Sequence, residues 1–170
     1  MIRKCETGDF ETIYEIINDA AQAYRGVIPP DQWHQPYMGR PELAAEIVAG
    51  VEFWGHESNG ELVGVMGIQR KGGVDLIRHA YVRTICRNQG IGGQLLRFLQ
   101  RQTAQPILIG TWQAAAWAVR FYEKYGFRLV DPEVKDRLLR RYWSVAARQI
   151  ATSVVLADER WFHSNLPEGD

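Results

Sequence analysis

Tyr81-Val82-Arg83-Thr84-Ile85-Cys86-Arg87-Asn88-Gln89-Gly90-Ile91-Gly92-Gly93-Gln94-Leu95-Leu96-Arg97-Phe98-Leu99 is the stretch on which the reading of this chain turns. It opens as an apolar extended run and passes through a loop holding Arg87, Gly90, Gly92 and Gly93. It then enters a segment whose apolar residues Ile91, Leu95, Phe98 and Leu99 recur at helical spacing, so the stretch reads strand, glycine-rich turn, helix. The first turn of a helix carries N–H groups without internal partners at the positive end of the macrodipole, which suits it to anions. Glycines there remove the Cβ atoms that would keep a phosphate away and permit converging N–H groups. Arg87 adds a permanent charge with a planar fork of donors. The stretch reads as a cradle for a diphosphate.

Two kinds of glycine loop are excluded by the residues C-terminal to the glycines. A Walker loop ends in Gly-Lys-Ser/Thr, whereas Gly93 is succeeded by Gln94 and Leu95. A dinucleotide fingerprint needs a third glycine where Leu95 stands, and it comes after the first strand of a domain, not one in mid-chain. The pattern Arg87-Asn88-Gln89-Gly90-Ile91-Gly92 resembles the coenzyme A pyrophosphate loop of the GNAT superfamily of N-acetyltransferases. A second stretch, Phe121-Tyr122-Glu123-Lys124-Tyr125-Gly126-Phe127 with Ala118 before it, is similar to the other signature of that superfamily. The two stand about thirty residues apart, with a strand expected between them at Pro106 to Trp112.

The resemblance implies an α/β (α+β) fold: a twisted, mixed, mostly antiparallel sheet of about six to seven strands, splayed at its central strands, with helices on both faces. It implies one N-acetyltransferase domain over residues 1–170, with its core in 2–130 and a C-terminal helix and last strand in 131–160. It implies acetyl-CoA as co-substrate, no metal, and transfer of an acetyl group to the primary amine of a small molecule by direct attack on the thioester in a ternary complex. The coenzyme would meet Arg87, Asn88, Gln89, Gly90, Ile91, Gly92 and Gly93. Amides of Tyr81, Val82 and Arg83, at the end of a strand that bulges in this superfamily, would meet the thioester carbonyl. Tyr122 matches the tyrosine that protonates the departing thiolate.

A general base is less well marked. His79, on the strand before the loop, could take a proton directly or through water, with Asp75 and Tyr81 as weaker candidates. One departure from the superfamily pattern stands at Ala115, where an asparagine is often found. Gln113 lies two residues earlier, about 200° around a helix, and is a poor substitute. Two further functions stay open: a non-catalytic module that senses acyl-CoA, and an acetyltransferase for a protein amine. Transfer of a longer acyl group is a weaker third.

Composition bounds the partners. Lys plus Arg and Asp plus Glu number 20 each, which favours neither nucleic acid nor an anionic membrane. Cys5 and Cys86 lack metal-ligand spacing and read as buried free thiols in a reducing cytoplasm. The polar turn of Met1 to Glu6 argues against a signal peptide, and no apolar run approaches a membrane span. A homodimer is compatible with the family.

Along the chain, Ile2 to Cys5 reads as a strand and Asp9 as the cap of a helix whose stripe is Phe10, Ile13, Tyr14, Ile17, Ala20, Ala21 and Tyr24. Arg25 to Arg40 is irregular and rich in aromatic residues, with Trp33, His34, Tyr37 and Met38, and either packs on the core or lines the acceptor pocket. A short helix covers Pro41 to Val48. A hairpin turns at Ser58-Asn59-Gly60, and a long strand runs from Val74 to Arg83. In the second signature, Ala114, Trp117, Ala118, Phe121 and Tyr125 share one helical face, with Tyr122 at its edge. Beyond it the chain reads as a strand at Phe127 to Val130, a helix with Val134, Leu138 and Tyr142 inward, and a last strand at Thr152 to Leu156. The Pro167 to Asp170 tail is expected to fray.

Overall fold

The computed structural model describes residues 1–164; the Pro167 to Asp170 tail lies outside them. Seven strands form a mixed sheet in the order β1-β2-β3-β4-β5-β7-β6: β1 Ile2–Lys4, β2 Glu52–Ser58, β3 Glu61–Arg70, β4 Asp75–Val82, β5 Ile107–Trp112, β6 Arg128–Leu129 and β7 Ser153–Ala157. Helices flank it: α1 Phe10–Ala20, α2 Arg40–Val48, α3 Ile91–Arg101, α4 Ala116–Lys124, α5 Pro132–Tyr142, α6 Ala147–Ala151 and α7 Glu159–His163. The chain clusters into two compact units, Met1–Arg70 with Ile77–Thr103, and Lys71–Leu76 with Ala104–Asp170.

In the first unit β1, β2 and β3 are antiparallel neighbours. The β2–β3 hairpin turns on Asn59 and Gly60, both at positive φ (53° and 79°), the geometry that matches the right-handed twist of the two strands. Ile13, Ile16 and Ile17 of α1 recur at helical spacing and bury against Leu43, Phe53 and Val65. The α-helix ends at Ala20, earlier than the apolar stripe suggests, and a 3₁₀ turn at Ala21–Tyr24 carries the last residues of that stripe. Asp9 stands at the N-cap position of α1, but its side chain makes no capping hydrogen bond there. Its carboxylate accepts the Glu6 N–H at 2.7 Å and pairs through both oxygens with Arg3, at 2.8 and 2.9 Å.

That pair holds the Asp9 carboxyl below its usual range, the Arg3 hydrogen bond being the main cause. Because the folded value lies below the unfolded one, the stabilisation is fully present above about pH 4 and is lost as pH falls through the folded value. Arg3 is about a third exposed, so screening keeps the effect small. Asp9→Asn is expected to cost about 1 kcal/mol in urea unfolding at pH 7, and the gap to the parent protein should narrow as pH falls through the lowered Asp9 value.

β3 seats the start of α3. A Cβ at Gly64 would stand 2.9 Å from Ile91 Cγ2 and 3.3 Å from Val82 Cγ2, so only glycine lets the first residue of α3 settle onto the sheet. Ile91, Leu95, Leu96 and Leu99 are buried. Phe98 covers Trp54 with ring centroids 5.0 Å apart.

In the second unit β7 lies between β5 and β6, antiparallel to both. Its core joins Val74 and Leu76 with Leu108, Leu138, Leu139, Trp143 and Val155. The short helices α6 and α7 have no periodic signal in the sequence; α7 is capped by Asp158, whose carboxylate accepts the Trp161 N–H at 3.2 Å. The face of α4 differs from the expected one. Trp117 is 41% exposed, whereas Ala115, Tyr122 and Phe127 are buried. The helix begins only at Ala116, so Ala114 is outside it, and the buried side is the one that carries Tyr122.

Candidate active site

The glycine loop forms where β4 leaves the sheet. A 3₁₀ turn, Thr84–Cys86, leads to Asn88 at φ 60° and Gly90 at φ 79°, both left-handed. Gly90 is the N-cap of α3 and has no side chain to close the helix end. The Gln94 N–H reaches the Gly90 carbonyl at 3.0 Å, which leaves the amides of Ile91, Gly92 and Gly93 with no acceptor inside the helix. Arg87, Asn88, Gln89 and Gly90 are exposed at the mouth.

The loop is held at its base. Arg83 donates its N–H to the Val63 carbonyl at 2.8 Å and its Nε to the Leu62 carbonyl at 3.1 Å. Thr84 donates its N–H to Asp19 at 2.7 Å, and Arg87 donates Nη2 to the carbonyl of Ala20 at 3.2 Å. The Gln94 side chain is turned onto His56, 2.9 Å from Nε2. The Arg83 amide is thus engaged by Val63.

β4 carries a left-handed residue inside a strand, His79 at φ 56°, the backbone signature of a bulge. Its effect is visible in the side chains. Neighbours in a regular strand point to opposite faces, yet both Arg78 and His79 reach Glu46 of α2, with Arg78 Nη1 at 2.9 Å and His79 Nε2 at 3.2 Å from Oε2. The His79 ring stacks on Phe53 at 6.1 Å. Arg78 also donates to Gln69, which in turn donates to the Ala49 carbonyl. Burial pushes the Arg78 guanidinium below its ordinary value, against the opposing pull of Glu46.

Two residues on, Tyr81 packs edge-on to Tyr24 at 6.4 Å. Burial, with the hydroxyls of Tyr24 and Tyr37 alongside, pushes the Tyr81 phenol well above its ordinary value. It therefore stays protonated and is no base. Tyr37 lies 5.4 Å from Tyr24, stacks on Trp33 at 5.9 Å and on His34 at 6.3 Å. The irregular aromatic segment is thus an ordered stack joined to the end of β4. Asn18 fixes it by a reciprocal pair, donating to the Met38 carbonyl at 2.9 Å and accepting the Met38 N–H at 3.0 Å.

In the second unit Tyr122 is buried between Phe121, at 5.2 Å, and Phe127, at 6.1 Å, both edge-on. Two contacts at its carbonyl, from the Tyr125 and Phe127 N–H groups, and the left-handed Gly126 (φ 90°) close the helix behind it. Ala115 is fully buried at the N-cap of α4, and Gln113 is exposed, so no carboxamide takes the place of the missing asparagine. Asp75 is buried, with its N–H on the Pro106 carbonyl at 2.9 Å. Cys5 and Cys86 are unpaired and half-buried, not fully buried, and burial pushes the Cys5 thiol up to about 12. Among the described residues no group of three His, Cys, Asp or Glu side chains could hold a metal ion, and no helix is long and apolar enough to cross a membrane.

Sequence reasoning did not find Asp19 or Glu46. Asp19 is an acidic residue in the last turn of a helix, and Glu46 is one carboxylate among several on a short one; neither carries a motif.

A family model described as an acetyltransferase (GNAT) domain matches residues 15–141, and the chain belongs to that family of acetyltransferases. An acetyltransferase of the GNAT family from Staphylococcus aureus Mu50 has a similar structure, with a TM-score of 0.69 at 20% identity over 93% of this chain and 97% of that one. The PaiA N-acetyltransferase of Thermoplasma acidophilum, crystallised with coenzyme A, has a TM-score of 0.69 at 17% identity over 93% and 97% of the two chains. A ribosomal-protein-alanine N-acetyltransferase from Brucella melitensis has a TM-score of 0.59 at 19% identity over 77% and 86%. At these identities the likeness establishes the fold. No protein of curated function matches the sequence.

Proposed function

We propose that the chain is an acetyl-CoA-dependent N-acetyltransferase whose acceptor is the primary amine of a small molecule bearing an aromatic or apolar group. The observation that carries the donor half is the unclosed first turn of α3, opening on left-handed Gly90 beside Arg87. Amides of Asn88 to Gly93 hold the diphosphate, and Arg87 exchanges the Ala20 carbonyl for a phosphate oxygen. The thioester carbonyl is met by the end of β4, at Tyr81 and Val82, since the Arg83 N–H is engaged. The left-handed backbone at His79 interrupts regular strand geometry shortly before these amides.

The amine nitrogen attacks the carbonyl carbon, the carbon–sulfur bond breaks, and the Tyr122 hydroxyl gives its proton to the departing sulfur. The proton lost by the amine passes to water or to His79. The Glu46 carboxylate accepts from Nε2–H of His79 and so leaves Nδ1 as the basic atom, the arrangement of a base with an orienting partner. The aromatic stack of Trp33, His34 and Tyr37 supports an aromatic acceptor group. Residues 1–170 act as one transferase domain, and the unpaired cysteines suit the cytoplasm.

The test is thiol release from acetyl-CoA across a panel of arylalkyl, aliphatic and peptide amines. Arylalkyl amines are expected to give kcat/KM at least tenfold above aliphatic amines of equal length. Turnover of peptide amines alone would move the acceptor to a protein. Coenzyme uptake with no thiol release for any amine would make the chain a non-catalytic sensor of acyl-CoA.

A further inference from the structure

Asp19 lies in the last turn of α1, one residue before its end. A carboxylate there meets the negative end of the helix macrodipole, an unfavourable place for it. It is also an unfavourable charge beside a loop read as a diphosphate site. The hydrogen bond it makes gives an acceptor side chain a role there: its Oδ2 accepts the Thr84 N–H at 2.7 Å, across 65 residues of sequence.

Thr84 is the first residue of the 3₁₀ turn that leads into Arg87. The turn's other tie on this side is Arg87 to the carbonyl of Ala20, the neighbour of Asp19. Between Arg87 and Gly90 the chain passes through Asn88, left-handed at φ 60°, a conformation asparagine takes more readily than most residues with a Cβ. β3 holds the start of the loop through Arg83, and Asp19 holds the next residue, Thr84, from the side of α1. The same turn of α1 holds the aromatic segment through Asn18.

We propose that Asp19 is a positioning residue for the coenzyme loop, acting through the Thr84 N–H as a hydrogen-bond acceptor and not through its charge. This rests on the coenzyme reading of the loop. The carboxylate touches no ligand; it pre-sets the turn from which the amides of residues 88–93 converge. Losing the acceptor leaves the loop to be ordered at the moment of binding, which lowers affinity for the donor and not for the amine.

The two substitutions that separate acceptor from charge are Asp19→Ala and Asp19→Asn. The carboxamide keeps an oxygen for the Thr84 N–H and removes the charge. Coenzyme A affinity is read by calorimetry, donor and amine KM and kcat by thiol release, and stability by thermal unfolding. Asp19→Ala is expected to weaken coenzyme A about tenfold and raise the acetyl-CoA KM equally, with amine KM and kcat within twofold. Asp19→Asn is expected to restore the parent affinity and to unfold at a slightly higher temperature than the parent, because the adverse dipole contact is gone.

Equal weakening in both variants, tighter binding in both, or unchanged affinity in Asp19→Ala would each overturn the proposal. These outcomes are read only against a parent protein that takes up coenzyme A. If the parent takes up none, the coenzyme reading fails first and the role of Asp19 with it; parent binding with an unaffected Asp19→Ala sinks this proposal alone.

Discussion

Tyr122→Phe is expected to lower kcat about 10²-fold, with coenzyme A affinity changed less than twofold. The phenol ring is buried between Phe121 and Phe127, and phenylalanine fills the same space, so packing is conserved and only the hydroxyl is lost. Without a donor the sulfur leaves as a bare thiolate, and the barrier to cleavage of the carbon–sulfur bond rises. The effect should fall on kcat and kcat/KM alike, the pattern of an interaction made only in the transition state. The comparison that isolates the proton is a thioester with a better leaving thiol, which should recover much of the loss. Unchanged turnover with the native thioester would remove Tyr122 from the chemistry and leave it a core residue.

The second large effect lies at the loop. Gly90→Val is expected to weaken coenzyme A by at least 30-fold in calorimetry. Gly90 holds φ 79° at the start of α3, and a β-branched residue is a poor occupant of that region. The chain would shift toward negative φ, turning the amides of residues 91–93 away from a common point. The buried face of α3, through Leu95, Leu96 and Leu99, is untouched, so the fold should survive and far-ultraviolet dichroism should be unchanged. The nearest atom to a Cβ at Gly90 is Gln94 Nε2 at 3.9 Å, which shows that space is not the obstacle; the backbone conformation is. Parent affinity in Gly90→Val would mean that the amides of this turn are not what binds.

The parts of the fold that can be read from the sequence are those where a local rule acts alone. Gly90, Gly92 and Gly93 ahead of Leu95 and Leu99 mark a glycine turn opening a helix, because backbone freedom and helical period are properties of neighbours in the chain. Asn59-Gly60 marks a hairpin for the same reason. The buried face of α4 is not legible in this way, because Ala114, Trp117, Ala118, Phe121 and Tyr125 also recur at helical spacing. Nine residues of helix with apolar side chains on several sides do not define one stripe. What decides it is the tertiary environment, which buries Tyr122 and leaves Trp117 exposed.

The groups of the candidate site that the sequence does not reveal have a common property. Asp19 meets Thr84, and Glu46 meets Arg78 and His79, across tens of residues. Nothing local distinguishes these carboxylates from solvated ones. The bulge is similar: no glycine or proline marks His79, yet its backbone is left-handed. Aromatic residues between Arg25 and Arg40 are legible as a concentration of rings, but their order, Trp33 and His34 against Tyr37 and Tyr37 against Tyr24, is a product of the fold.

The most direct measurement is a calorimetric comparison of coenzyme A with pantetheine, which carries the thiol arm and lacks the diphosphate. If main-chain amides at residues 88–93 and the Arg87 guanidinium hold that diphosphate, coenzyme A binds with one site per chain and pantetheine binds at least 100-fold more weakly. Equal affinity for the two, or no heat with coenzyme A at all, would contradict the account.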